Sequence, residues 1–376
     1  MLNLALSFIS SFCMTLLIAR YASRFGRFSL DNDLRGVQKN HVLAVPRIGG
    51  VAIVCATCLT FATGALFGTN PRGESMLLFL CAAPPFCSGC LEDLTKRVSP
   101  RARLLCAMAG ALGGAFALHA VINRVDLPLI DHGLVLLPLA IGFTVLTVSG
   151  LTNAINLIDG MNGLASVTSI LIFASIGYVG HYVGDWLVMS VALTMIGAIS
   201  GFVLWNFPAA SIFLGDGGAY FIGFTMAELL VLLIARHPSV SAWYAVVVAI
   251  YPLFETVFSI YRRKLVRGRP VSEPDGVHLH TLIYKRIALK GADSRDPRQR
   301  SRRNARTSMY LWTLCASAVV PASLFWNNPL ALSLTALVFV VVYVWMYVSI
   351  VRFKTPHWLF IGHAPIASPA PEQTRR

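Results

Sequence analysis

The chain has 376 residues, of which 56% are hydrophobic and 13% charged, with a mean hydropathy of +0.67. Soluble domains carry roughly 25% charged residues, so an ordinary water-soluble enzyme is excluded. The net charge of +14, from 31 Lys and Arg against 17 Asp and Glu, is large enough for nucleic acid, but its placement along the chain points to a bilayer and to no nucleic-acid partner.

A hydrocarbon core about 30 Å thick takes roughly 17–25 apolar residues per helix. In chain order, runs at about 2–19, 48–68, 76–91, 103–122, 134–152, 163–180, 186–204, 218–235, 242–260, 309–326 and 330–350 meet or approach that length. The expectation is an all-α integral membrane protein with about 11 transmembrane helices. The first run lacks a basic leader and a small-residue cleavage site, so it reads as a retained span. The third is short and contains Pro84 and Pro85, which predicts a kink or a break. Residues 1–350 read as one membrane domain without internal repeats, and 351–376 as a tail.

Basic residues orient the spans. All of them except Arg72, Arg124 and Arg236 fall in odd-numbered loops or the tail. By the positive-inside rule those loops are cytoplasmic, which puts the N-terminus outside and the C-terminus inside. The eight cysteines lie in or at the ends of spans. Cys55/Cys58 and Cys87/Cys90 have CxxC spacing, but with no second pair or His partners in a loop they read as small filler of the membrane core.

The polar residues collect on the cytoplasmic side, in loops at about 20–47, 92–102, 153–162, 205–217 and 261–308. These carry Lys39 with Pro46–Gly50, Glu92-Asp93 with Lys96, the stretch Asn153–Ala165, Asn206 with Phe213–Gly218, and His278-x-His280. Asn156, Asp159 and Asn162 recur every third residue, so on a helical turn they share a face. Asp216 lies among Gly215, Gly217 and Gly218 at the start of a span, where backbone amides suit a phosphate and a carboxylate suits a hard cation such as Mg²⁺. Alone, Asp216 would read as a helix N-cap. Glu92 and Asp93 form a like-charge pair, one of which can be poised as a base. Within the spans, Glu255 lies near the cytoplasmic end of its helix and Glu228 reads as a satisfied interior residue.

As an ordered set over about residues 35–290, these motifs resemble the polyprenyl-phosphate N-acetylhexosamine-1-phosphate transferases, glycosyltransferase family 4, with His278-x-His280 closer to the polysaccharide- and O-antigen-initiating branch. The resemblance implies transfer of a sugar 1-phosphate from a UDP-N-acetylhexosamine to undecaprenyl phosphate, with release of UMP, at the cytoplasmic face of a bacterial inner membrane. It implies Mg²⁺, or Mn²⁺ in its place, held by Asp216. Asp93, Glu92 and Asp159 become the catalytic carboxylates, with Asp93 favoured over Glu92. Lys39, Asn156, Asn162, Asn206, His278 and His280 become substrate-binding residues. Homodimers are common in the family. The chain departs from its usual pattern at Glu92 and Asn162, where Asp is common, at Glu255 for a frequent Asp, and in the long loop at Gly276 and Thr281. A transporter of lipid-linked sugars is the alternative class; its sites would sit near the midplane on broken helices, often with inverted repeats.

Overall fold

In the computed structural model, which describes residues 1–21, 45–67, 72–266, 268, 277–286 and 297–352, every one of the eleven apolar runs builds helix. No β-strand occurs among the described residues. Among the described residues, nine helices are long and apolar enough to cross a bilayer: α1 (Leu2–Tyr21), α2 (Gly49–Leu66), α3 (Arg72–Thr95), α6 (Leu137–Ile158), α7 (Leu164–Tyr182), α8 (Trp186–Asn206), α9 (Gly215–Arg236), α13 (Pro297–Leu324) and α14 (Pro329–Val351). The pair α10 (Ala242–Val248) and α11 (Ile250–Tyr261) is long and apolar enough only when taken together, and the two are bent by 75°. The eleventh run is α4 (Pro100–Ala117), whose first turn holds Arg101 and Arg103. Two short helices complete the set, α5 (Pro128–Leu134) and α12 (Leu279–Arg286). The chain is an all-α integral membrane protein.

Helix α9 is the axis of the bundle. Every residue from Gly217 to Ile234 is buried, and α2, α3, α4, α6, α7, α8 and α10 all pack against it. Between lipid-soluble helices the hydrophobic effect gives no preference, so close packing of small residues takes its place. On α1, Ser7, Ser11 and Thr15 are buried, and Ser7 meets Gly197 while Ser11 meets Gly201 of α8. At the start of α9, Gly50 of α2 lies against the Gly218 backbone, and a Cβ on Gly89 of α3 would come within 2.6 Å of Gly217 Cα.

The third span runs unbroken through Pro84 and Pro85. Each proline removes the N–H that would bond the carbonyl four residues earlier; for Pro85 that carbonyl is Cys81. Gly110 of α4 presses its backbone onto the Cys81 carbonyl, so a neighbouring helix covers the gap where solvent cannot. Glu228 corrects the sequence reading in one respect. It is fully buried beside Gly114 of α4, but neither carboxylate oxygen has a hydrogen-bond partner. No cysteine is in a disulfide, and Cys55 and Cys58 are exposed on the outer surface of α2. The tail from 353 onward lies outside the described residues.

The glycine contacts at α9 predict a position-specific stability loss. Gly50→Ala or Gly89→Ala forces a methyl into backbone and should cost about 1–3 kcal/mol, read as a lower thermal midpoint in detergent. Gly142→Ala on α6, where nothing lies within 4 Å of the new methyl, should leave the midpoint unchanged or raise it slightly.

Candidate active site

Backbone pairing builds the floor of the site. Phe213 N–H donates to the Pro46 carbonyl (2.8 Å), while Gly49 and Gly50 N–H donate to the carbonyls of Phe213 (2.9 Å) and Leu214 (2.8 Å). This clamp between the entry to α2 and the entry to α9 fixes Gly215, which takes φ +79° with its α-carbon against the Arg47 carbonyl. A side chain at Gly215 would collide with both Arg47 and the Asp93 carboxylate. Only glycine suits that conformation and that space.

Asp93, buried at the end of α3, accepts a hydrogen bond from Gly217 N–H at 3.0 Å through Oδ2, so its carboxylate rests on the amino end of α9. Its Oδ1 is buried without a partner. Glu92 points elsewhere: its Oε2 accepts from Val98 N–H at 2.8 Å and closes the turn into α4. Of the acidic pair, Asp93 faces inward and Glu92 shapes the loop.

Asp216 occupies the first turn of α9 and does not cap it. The Arg103 guanidinium donates to its Oδ2, and Asn156 Nδ2 donates to its Oδ1 at 3.1 Å. Arg103 also lies over the Tyr220 ring, 5.8 Å from its centroid, and the Tyr220 hydroxyl donates to Asn153 Oδ1 at 3.2 Å. Asp159 ends α6. Desolvation raises its carboxyl to about 7, with the Arg47 charge opposing the rise and the Asp93 charge adding to it. The structure thus brings Asp93, Asp159, Asp216 and Asn156 together beside Arg47 and Arg103.

The two histidines approach at the start of α12, His278 just before the helix and His280 within its first turn. The His280 imidazole lies against Gly160, with Nε2 2.7 Å from where a Cβ would stand, next to Asp159. His278 stacks on His280 with centroids 5.3 Å apart and an interplanar angle of 5°. His278 Nδ1 lies 3.0 Å from Glu255 Oε1, which also accepts from Leu279 N–H at 3.2 Å, and the Tyr343 hydroxyl donates to the other oxygen at 2.5 Å. Arg286 anchors the far end of α12 on the Ile350 and Val351 carbonyls at the end of α14.

Asn162 and Asn206, expected on substrate, crosslink neighbouring loops, and Asn162 Oδ1 stays buried without a partner. Asn206 accepts from Gly163 N–H (2.7 Å) and donates to the Ile212 carbonyl (2.8 Å). Asn162 donates from Nδ2 to the Pro208 carbonyl (2.9 Å), its N–H donates to Asn304 Oδ1 (2.7 Å), and its carbonyl accepts from Ser308 Oγ (2.7 Å). Lys39 and Gly276 lie outside the described residues.

Sequence reasoning gave no site role to Arg103 or Tyr220, and it named Arg47 and Asn153 only within the stretches Pro46–Gly50 and Asn153–Ala165. Arg103 did leave a signal. Ser99 caps α4 by accepting from Ala102 N–H, so Arg101 and Arg103 sit at a helix amino end, where cations oppose the macrodipole and call for a nearby carboxylate.

Comparison with known proteins decides the family. The glycosyl transferase family 4 profile matches residues 75–234, which contain Asp93, Arg103, Asn156, Asp159 and Asp216. A Thermotoga maritima protein named undecaprenyl-phosphate alpha-N-acetylglucosaminyl 1-phosphate transferase is 31% identical over 279 residues, 74% of this chain and 80% of the relative. The chain belongs to glycosyl transferase family 4. A Bacillus subtilis relative, described as a probable undecaprenyl-phosphate N-acetylglucosaminyl 1-phosphate transferase, is 30% identical over 287 residues, 74% of this chain and 77% of the relative. A phospho-N-acetylmuramoyl-pentapeptide-transferase of Listeria welshimeri is 24% identical over 269 residues, 68% of this chain and 81% of the relative. This family 4 member is therefore a membrane transferase of the polyprenyl-phosphate N-acetylhexosamine-1-phosphate superfamily.

The raised Asp159 carboxyl gives a stability signature. In the folded protein it ionises near 7; unfolded, it does so near the usual carboxylate value. Its charge therefore costs stability in full above pH 7, and the cost fades as the pH falls from 7 toward 4. Asp159→Asn should raise the metal-free thermal midpoint by roughly 2–4 °C at pH 8, with the gain shrinking at pH 5. An equal gain at both values would contradict the assignment.

Proposed function

We propose that this protein transfers the sugar 1-phosphate of a UDP-N-acetylhexosamine to undecaprenyl phosphate. The products are UMP and an undecaprenyl-diphosphate-sugar that opens synthesis of a cell-surface glycan, in the polysaccharide-initiating branch of the family. The reaction runs at the cytoplasmic face of the bacterial inner membrane. The observation that carries this reading is the convergence of Asp93, Asp159 and Asp216 on the amino end of α9, reached by His280 from the other side. N-acetylglucosamine is the favoured sugar, because the two relatives at 30–31% identity carry it in their names while the pentapeptide enzyme stands at 24%. The positive-inside pattern supports the cytoplasmic placement.

The donor set suits a hard cation. Asp216 presents carboxylate oxygen at the mouth of the site at 21% exposure, and Asp93 Oδ1 is buried without a partner. The described residues hold no ready-made group of three or more metal-binding side chains, and Mg²⁺ asks for only one or two carboxylates beside water and phosphate. Asp216 would hold Mg²⁺, or Mn²⁺ in its place, and when bound the ion neutralises diphosphate oxygens and the departing UMP. Asp93, held at Oδ2 by Gly217 N–H, keeps Oδ1 available to take a proton from the lipid phosphate. An oxygen of that phosphate attacks the phosphorus bearing the sugar; the bond to UMP breaks as the new P–O–P bond forms. Asn156 orients Asp216, and Glu255 with Tyr343 orients His278 beside the sugar nucleotide. Asn162 and Asn206 hold the loops in place, and Lys39 contributes positive potential toward the phosphates.

Purified full-length protein with undecaprenyl phosphate and Mg²⁺, offered UDP-N-acetylhexosamines one at a time, should release UMP with UDP-N-acetylglucosamine, and only when the lipid is present. Asp93→Asn should slow turnover by about 10²–10⁴-fold. UMP release that ignores the lipid, or that survives Asp216→Ala, would overturn the assignment.

A further inference from the structure

Both oxygens of the Asp216 carboxylate already have partners, Arg103 at Oδ2 and Asn156 at Oδ1. The Arg103 and Asp216 side chains are only 13% and 21% exposed, so water and salt screen the pair poorly. Arg103 stands in the first turn of α4, where the helix macrodipole disfavours a cation, and Asp216 offsets that cost. The guanidinium has a second support that does not depend on Asp216: it lies over the Tyr220 ring, which Asn153 holds through the hydroxyl.

A guanidinium and a divalent cation on the same carboxylate compete, because the two positive charges would be driven within a few ångströms of each other. We infer that Arg103 is a built-in counter-cation that occupies Asp216 until a divalent cation displaces it, and that the freed guanidinium, still supported by Tyr220, then binds a substrate phosphate. The inference rests on the reading of Asp216 as a metal ligand. The planar fork of arginine matches phosphate oxygens two at a time. The neutralising charge of the empty site thus becomes a substrate contact of the loaded one, and Arg103 becomes a substrate-binding residue of this transferase.

The two roles predict effects of opposite sign. Full-length protein in detergent, without substrate, is titrated with Mn²⁺, and free ion is read by electron paramagnetic resonance. Arg103→Met should bind Mn²⁺ about tenfold more tightly than the unaltered protein, the factor that loss of one partly screened competing charge carries. Its UMP release should fall, and Arg103→Lys should recover part of that loss. Arg103→Gln, which keeps a donor to Asp216 without the charge, serves if the Met variant loses its cooperative melt, and should also bind Mn²⁺ more tightly. Unchanged or weaker Mn²⁺ binding in a folded neutral variant would overturn the inference. The metal reading itself fails separately, if the unaltered protein binds no Mn²⁺ or if Asp216→Ala binds it equally well.

Discussion

Three helices meet backbone to backbone at the amino end of α9, and the rest of the site hangs from that contact. Gly50 of α2 and Gly89 of α3 allow their helices to touch Gly218 and Gly217. The Pro46–Gly50 and Phe213–Leu214 clamp then sets where Asp216 enters the helix. With α3 this close, Asp93 reaches the Gly217 N–H. A methyl at any of these glycines would separate the helices and carry Asp93 away from Asp216. Steric exclusion, rather than polar attraction, brings the carboxylates together.

Charge balance shapes what that contact can do. Three carboxylates in a poorly hydrated site repel one another, and desolvation penalises each. The fold answers with Arg47 beside Asp159, Arg103 on Asp216, and helix-end amide dipoles under Asp93. The residual strain appears where no guanidinium reaches fully: Asp159 ionises near 7, and Asp93 keeps one oxygen unpaired. The planar fork of arginine matches carboxylate and phosphate oxygens alike, so the same guanidinium can balance either charge.

The same asparagine chemistry served two purposes that spacing alone could not separate. Asn156 and Asn162 fall on one helical repeat with Asp159, yet Asn156 reaches Asp216 while Asn162 ties the loop to Pro208 and α13. The helix ends at Ile158, so the repeat is cut before Asn162, and the left-handed Gly163 (φ +70°) redirects the chain. Glu92 and Asp93 were adjacent and chemically alike, and the turn to Val98 divided them into a loop brace and an inward carboxylate. Glu228 was readable as interior from its place in an apolar run. Its lack of partners was not, because the opposing Gly114 comes from another helix.

By itself the sequence determined the class of protein and the residue types of its site. Apolar runs of bilayer length admit little besides helices, since unpaired backbone is too costly in lipid. The clustering of basic and polar residues in alternate loops placed the candidate chemistry at one end of the bundle. Tertiary structure alone decided which of those residues meet. The partners are remote in sequence, Arg103 to Asp216, Asp93 to Gly217, His280 to Gly160 and Tyr343 to Glu255. Their meeting depends on how closely neighbouring helices approach, a distance set by pairs of small residues on different helices and carried by no single stretch of chain.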